Sequence, residues 1–319
     1  MNSPAEGPAL DVRDVSYRYG SRQALNNIGF DVRTGEIFAL LGPNGGGKST
    51  LFRLIATLMP LQAGEVAIFG CRLRTAVHPA RRHIGVVFQA PSLDRKLTVL
   101  ENMQHQAALY GLGRRAVRPR IDALLEQVGV ADRRNEFVES LSGGLRRRVE
   151  LAKGMLHEPR LLLMDEPSTG LDPGARGEFW NYVERIRAER QMTVVLTTHL
   201  MDEAERADRI AILDQGRLVA LGAPAALRAE LGGDTLTIET DHPEQLAEDI
   251  ERQFAIGTRV LPGIVRLELP HGSQWVVRLV EAFPERIRSI TLGKPTLEDV
   301  FIARTGRGFM AEEGDARGE

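Results

Sequence analysis

The sequence predicts an α/β fold built on a mainly parallel sheet, followed by a small α+β domain. Three observations carry that prediction. Apolar runs of buried-strand length, at residues 37–41, 84–88, 161–164 and 193–196, alternate with stretches of helical periodicity. A glycine-rich loop joins the first of these runs directly to an amphipathic helix. The pattern then breaks at Gly222, Pro224 and the Gly232-Gly233 pair, and shorter strand and helix signals follow. The 319 residues suit about two domains at roughly 150 residues each.

Taken in order, residues 9–15 alternate apolar and polar, Tyr19-Gly20-Ser21 marks a turn, and residues 28–32 alternate again. Thr34-Gly35 punctuates the chain before the buried run at 36–41. Past the glycine loop, Leu51, Leu54, Ile55 and Leu58 recur at the spacing of a buried helix face. Residues 84–88 read as a further buried strand, and 98–156 as helical. Within that stretch, Thr98 and Glu101 have the spacing of a capping box, and Ile121, Leu124, Leu125 and Val128 share one helix face. Strands at 161–164 and 193–196 flank another helix. Beyond the break the order is strand 235–240, helix 243–254, strand 259–268, helix 274–283 and strand 289–292, which suggests a ferredoxin-like domain. The expected division is therefore 1–222, with a helical insert at about 90–157, then 223–305, then a polar, glycine-rich and disordered tail over 306–319. There is no internal repeat.

Composition narrows the function classes. The chain is 43% hydrophobic and 26% charged, enough apolar material for a sizeable core. Its formal charge of -2 argues against bulk electrostatic binding, so no nucleic-acid partner is expected. Cys71 is the only cysteine, which excludes an intrachain disulfide and a cysteine-based metal cluster and suits a reducing compartment. The N-terminal residues carry no basic-then-apolar signal, and no apolar run approaches the ~20 residues of a membrane helix. A role at a membrane would be exercised from its surface, through a partner.

The run Gly42-Pro43-Asn44-Gly45-Gly46-Gly47-Lys48-Ser49 fits the phosphate-loop pattern and lies between strand and helix, as that chemistry requires. Glycines let the backbone wrap phosphates and offer N–H donors, and the helix N-terminus adds a positive dipole. Lys48 can reach the β- and γ-phosphates of a bound nucleotide, and the Ser49 hydroxyl can ligate Mg²⁺. A glycine-rich turn is the alternative. Asp165 and Glu166 end a buried strand, where two carboxylates are costly unless they perform electrostatic work. Ligands collect at the carboxyl ends of parallel strands. Asp165 is placed to hold Mg²⁺, and Glu166 to orient or deprotonate the attacking water. Thr197-Thr198-His199 ends the next apolar strand, with His199 a hydrogen-bond donor near the γ-phosphate, and Gln89 follows the strand at 84–88.

Leu141-Ser142-Gly143-Gly144, lying between the phosphate loop and the acidic pair, resembles the signature motif of the ABC (ATP-binding cassette) family. Ser142 can cap the helix that follows, and Gly143 and Gly144 leave N–H groups free to meet a phosphate. The resemblance covers about residues 10–222 and implies a P-loop NTPase cassette with a helical subdomain. By that resemblance, Gly42 to Thr50 looks like the Walker A loop and Leu161–Asp165 like Walker B. Glu166 resembles the catalytic glutamate, His199 the switch histidine, and Gln89 the Q-loop glutamine, a Mg²⁺ ligand with Ser49 and Asp165. Residues 168–172 resemble the D-loop, and Tyr19 the aromatic that stacks on adenine, in preference to Tyr17. Two positions depart from the pattern. Position 46 is glycine where alanine is common, and Leu145-Arg146-Arg147-Arg148 stands where glutamines are commoner; that run reads as a solvated helix face. The family further implies that two cassettes pair head to tail, as a homodimer or with a sister subunit. It also implies a separate integral membrane permease, and so a peripheral position on the cytoplasmic face of the membrane. The segment Pro295-Thr296-Leu297-Glu298-Asp299-Val300-Phe301 is similar to the end of ABC-2-type exporter ATPases, including the daunorubicin-resistance subfamily. Export is the expectation; an importer ATPase with a regulatory C-terminal domain, or a soluble ABC ATPase, is the alternative.

Overall fold

The computed structural model describes residues 7–309, which form two compact units, one reaching to Leu218 and the other beginning at Val219. The first unit opens with β1 (Leu10–Tyr19), β2 (Arg22–Val32), β3 (Ile37–Leu41), α1 (Lys48–Ile55), β4 (Ala63–Ile68), β5 (Cys71–Arg72), α2 (Val77–Arg82) and β6 (Ile84–Val87). Three helices follow, α3 (Val99–Leu109), α4 (Arg114–Gln127) and α5 (Gly143–Gly154). It then runs through β7 (Leu161–Asp165), α6 (Pro173–Arg190), β8 (Thr193–Thr198), α7 (Met201–Ala204) and β9 (Arg209–Asp214) to β10 (Arg217–Gly222), within which the chain passes to the second unit.

Two sheets organise the first unit. One has the order β2-β1-β4-β5 with antiparallel pairing. The other has the order β10-β9-β3-β8-β7-β6 and is parallel from β9 to β6. Every residue of β3 and β7 is buried, as strands covered on both faces must be. Phe30 of β2 stacks on Phe38 of β3 with ring centroids 5.1 Å apart, joining the two sheets through one apolar core. Burying a side chain of this size contributes about 1.5–3 kcal/mol. Helix α3 starts at the capping box that Thr98 and Glu101 predict, with both reciprocal hydrogen bonds formed. On α4, Ile121, Leu124 and Leu125 are buried, and so is Val128, which caps the helix.

The second unit contains α8 (Pro224–Leu231), β11 (Asp234–Glu239), α9 (Pro243–Phe254), β12 (Arg259–Leu261), β13 (Ile264–Leu269), α10 (Gly272–Ala282), β14 (Ser289–Gly293) and α11 (Leu297–Thr305). Its antiparallel sheet has the order β12-β13-β11-β14, the ferredoxin-like connectivity. The single strand expected over 259–268 is instead a hairpin, β12 and β13, because Pro262 and Gly263, the latter at φ 75°, turn the chain between them. Leu236, Ile238, Leu246, Ile250, Val265, Leu267 and Leu279 form a separate core. Helix α11 carries the segment expected to close this unit. Thr296 caps it, and Asp299, 2% exposed, meets Arg266 of β13 at 3.1 Å. Phe309 packs edge-on against Phe301 and is buried, so the chain remains in the fold past Gly306. The rest of the tail expected to be disordered, 310–319, lies outside the described residues.

Candidate active site

The functional side chains project from the carboxyl ends of β3, β6, β7 and β8, where a parallel sheet gathers ligands. The loop from Gly42 to Gly47 leaves β3 and enters α1. Its glycines are demanded by the backbone at two positions. A Cβ at Gly42 would lie 2.3 Å from the carbonyl oxygen of Leu213, and Gly47 caps α1 at φ 104°. Pro43 and Gly46 are buried, while Asn44 and Gly45 are exposed. Ser49 and Thr50, in the first turn of α1, are half-buried. Lys48 is only 4% exposed, and its ammonium donates to the carbonyls of Gly42 at 2.7 Å and Pro43 at 2.9 Å. Burial pulls its pKa below the usual lysine range, against the raising influence of Glu166 and Asp165.

Asp165 ends β7 and Glu166 follows it, at 8% and 9% exposure. Burial pushes the Asp165 carboxyl up, although the Thr197 hydroxyl donates to it at 2.5 Å. Glu166 has left-handed backbone at φ 43°, which a β-carbon disfavours by about 1–3 kcal/mol. Its N–H donates to the Thr197 hydroxyl at 3.0 Å and to the Thr197 carbonyl at 3.1 Å, and these bonds hold the turn. One carboxylate oxygen of Glu166 gathers three partners. The Gln89 amide donates to it at 3.0 Å, the Thr169 hydroxyl at 3.3 Å, and His199 Nδ1 lies 3.3 Å away. The structure thus brings Lys48, Gln89, Asp165, Glu166 and His199 into one cluster.

Two predicted groups lie elsewhere in the unit. Tyr19, at the end of β1, is 43% exposed and packs edge-on against Tyr17, which itself packs on the core. Tyr19 is the more exposed ring of the pair. Ser142 caps α5 by accepting from the Leu145 N–H at 3.3 Å. The neighbours of Gly143 and Gly144 are Leu171 and Ala175 of the D-loop segment and α6. Gly143 shares a cleft of about 260 Å³ with Gln89, Thr169 and Arg147.

Sequence reasoning missed three residues that organise this site. Thr197 holds both carboxylate residues. Glu203, on α7, accepts from the hydroxyls of Ser168 and Thr198 and from the Trp180 indole, and so ties the D-loop segment to the end of β8. Arg147 corrects the expectation of a solvated arginine face. It is 7% exposed and donates to the backbone carbonyls of Phe88 and Pro167 and to the Glu150 carboxylate. Three consecutive arginines on a helix point in directions about 100° apart, so one of them can face inward.

Comparison with known proteins agrees with this geometry. The ABC transporter family profile matches residues 25–169. The chain is 36% identical to the Nod factor export ATP-binding protein I of Rhizobium sp. (strain N33) over 310 residues, 94% of this chain and 97% of that one. It is 36% identical to the daunorubicin resistance ATP-binding protein DrrA3 of Streptomyces coeruleorubidus over 307 residues, 93% and 96% of the two chains. A solved structure described as an ATP binding subunit of an ABC transporter superposes with a TM-score of 0.63 at 33% identity, covering 70% of this chain and 93% of that chain. With its phosphate loop, strand-end carboxylates and relatives that include export and drug-resistance proteins, the chain belongs to the ABC transporter family, as an ATP-binding, ATP-hydrolysing cassette.

Proposed function

We propose that this protein is the ATP-hydrolysing motor subunit of a membrane exporter, working with a separate integral membrane permease from the cytoplasmic face of the membrane. The observation that carries the chemical part is the Glu166 carboxylate, whose one oxygen meets Gln89, Thr169 and His199 beside the buried Lys48. In this reading the phosphates of ATP take the Lys48 donors that now serve the Gly42 and Pro43 carbonyls. Residues 42–50 supply backbone N–H groups and the helix dipole. Tyr19 stacks on the adenine. Glu166 orients the attacking water and accepts its proton, and His199 donates to the γ-phosphate. The Ser49 hydroxyl, Gln89 amide oxygen and Asp165 carboxylate make an all-oxygen donor set, which fits Mg²⁺. When bound, Mg²⁺ neutralises charge on the phosphate oxygens.

Ser142, Gly143 and Gly144 sit against the chain's own D-loop segment, at the start of α5. They serve ATP held by a second cassette, a copy of this chain or a sister subunit. Export rests on the relatives: the two proteins compared above act in Nod factor export and daunorubicin resistance. Among the described residues no helix is long and apolar enough to cross a membrane, and in this reading a separate permease provides the pathway.

The test is to purify the Glu166→Gln variant with ATP from its native membranes and identify what accompanies it. A polytopic membrane protein in fixed ratio to two cassettes is the expected result, and its identity narrows the cargo. A substrate-binding protein in the complex would replace export with import. Ribosomes or DNA-bound proteins, with no permease, would overturn the transport reading.

A further inference from the structure

Arg147 lies where three segments meet. Its guanidinium donates through Nη1 to the Phe88 carbonyl and to Glu150 at 2.7 Å, and through Nε to the Pro167 carbonyl. Nη2 lies 3.4 Å from the Asp165 carbonyl and 3.5 Å from that of Glu166. Glu150 continues the bridge, because its other oxygen accepts from the Ser92 N–H at 2.7 Å. The two side chains of α5 therefore grip the backbone on either side of Gln89, at Phe88 and Ser92, and the backbone through Glu166. On the far side of that grip, the Gln89 and Glu166 side chains are joined by their 3.0 Å hydrogen bond.

Both charges are buried, Arg147 at 7% and Glu150 at 5% exposure. A buried ion pair recovers little more than its desolvation cost, so stability alone is a weak reason for it. The planar fork of the guanidinium explains more. It presents five donors in fixed directions, and here they reach a carboxylate and the backbone carbonyls of both loops at once. We propose that Arg147 is a positioning residue for hydrolysis: it sets the separation of Gln89 from Glu166 and ties that separation to α5, the helix that Ser142 begins. This rests on the reading of Glu166 as the hydrolytic carboxylate.

Steady-state ATP hydrolysis by the full-length protein tests it with two variants. Arg147→Lys keeps the charge and loses the fork. Arg147→Met combined with Glu150→Leu removes both charges and leaves neither unpaired. In both, kcat falls about 10- to 100-fold, the effect of displacing a supported catalytic group, while KM for ATP stays within about twofold. The double variant leaves no buried charge unpaired, so its melting temperature falls less than that of Arg147→Met alone, while kcat is not recovered. Wild-type turnover by either variant, or a rate loss that follows the loss of melting temperature, would overturn the proposal. Glu166→Gln is assayed alongside. If it hydrolyses ATP normally, the reading of Glu166 fails by itself; if it is inactive while both Arg147 variants are fully active, only the role of Arg147 fails.

Discussion

The Asp299 site of the second unit and the Lys48–Asp165 site of the first bury charge in opposite ways. In the second, Asp299 spends one oxygen on the Thr296 cap and turns the other to Arg266, a dedicated counter-ion 3.1 Å away. In the first, Lys48 donates to two backbone carbonyls and Asp165 accepts from a threonine hydroxyl. Desolvation acts on both of these groups, pulling the Lys48 pKa down and pushing that of Asp165 up. A buried charge with a fixed counter-ion cannot lose that partner cheaply, because the charge left behind is uncompensated. A buried charge resting on neutral groups keeps an unfavourable solvation energy that a ligand can relieve, which marks a functional site.

The sharpest way to break this contrast is to neutralise one charge in each unit. Lys48→Met is expected to lower ATP turnover by about 10²-fold or more, the loss typical of removing an electrostatic donor at the reacting group. Its melting temperature should not fall, because a desolvated ammonium has been removed. Turnover and thermal melting measured on one preparation decide the point. Asp299→Ala should do the reverse. It leaves Arg266 unpaired and uncaps α11, and it should cost about 3 kcal/mol in denaturant unfolding while the catalytic cluster stays intact. Equal stability losses in the two variants would end the distinction.

A smaller effect is expected at the helix caps. Thr98→Ala removes the box that starts α3 and should cost about 1 kcal/mol of stability by chemical denaturation. The smallest is a pH dependence. His157 stacks on Tyr110 at 3.9 Å and shares a 2.8 Å hydrogen bond with the Ile84 carbonyl. Burial holds its pKa below the usual histidine value, and Arg120 acts in the same direction. The folded protein therefore keeps this ring neutral, while the unfolded chain protonates it near its ordinary value of about 6.5. Its contribution is present above that value and is lost as the pH falls below it. The drop in melting temperature between about pH 7.5 and about pH 5.5 should be shallower in His157→Phe than in the wild type. His83 is shifted the same way and preserves part of the slope.

Which parts of this were legible in the sequence follows from how local the physics is. The phosphate loop was legible because its glycines, lysine and serine are contiguous and lie between a buried run and a helix face. The capping boxes at Thr98 and Thr296 depend on residues three apart, and the first was read directly. Strand β4 is not legible, because Gly64 and Glu65 interrupt its alternation. The hairpin at Pro262-Gly263 reads as one strand, because its turn is only two residues long. Arg147 and Glu203 were illegible for a stronger reason. Their partners lie 18 to 59 residues away for Arg147, Glu150 apart, and 23 and 35 residues away at Trp180 and Ser168 for Glu203, so only the fold makes a buried hub of what reads as surface charge.

The central claim is that Glu166, hydrogen-bonded by Gln89 and Thr169 with His199 beside it, is the carboxylate that drives hydrolysis. Single-turnover hydrolysis and ATP affinity of Glu166→Gln against the wild type test it most directly. The expected result is wild-type affinity with hydrolysis slowed about 10²- to 10⁴-fold, the contribution of a positioned general base. Hydrolysis near the wild-type rate, or a loss that disappears once the variant is saturated with ATP, would contradict it.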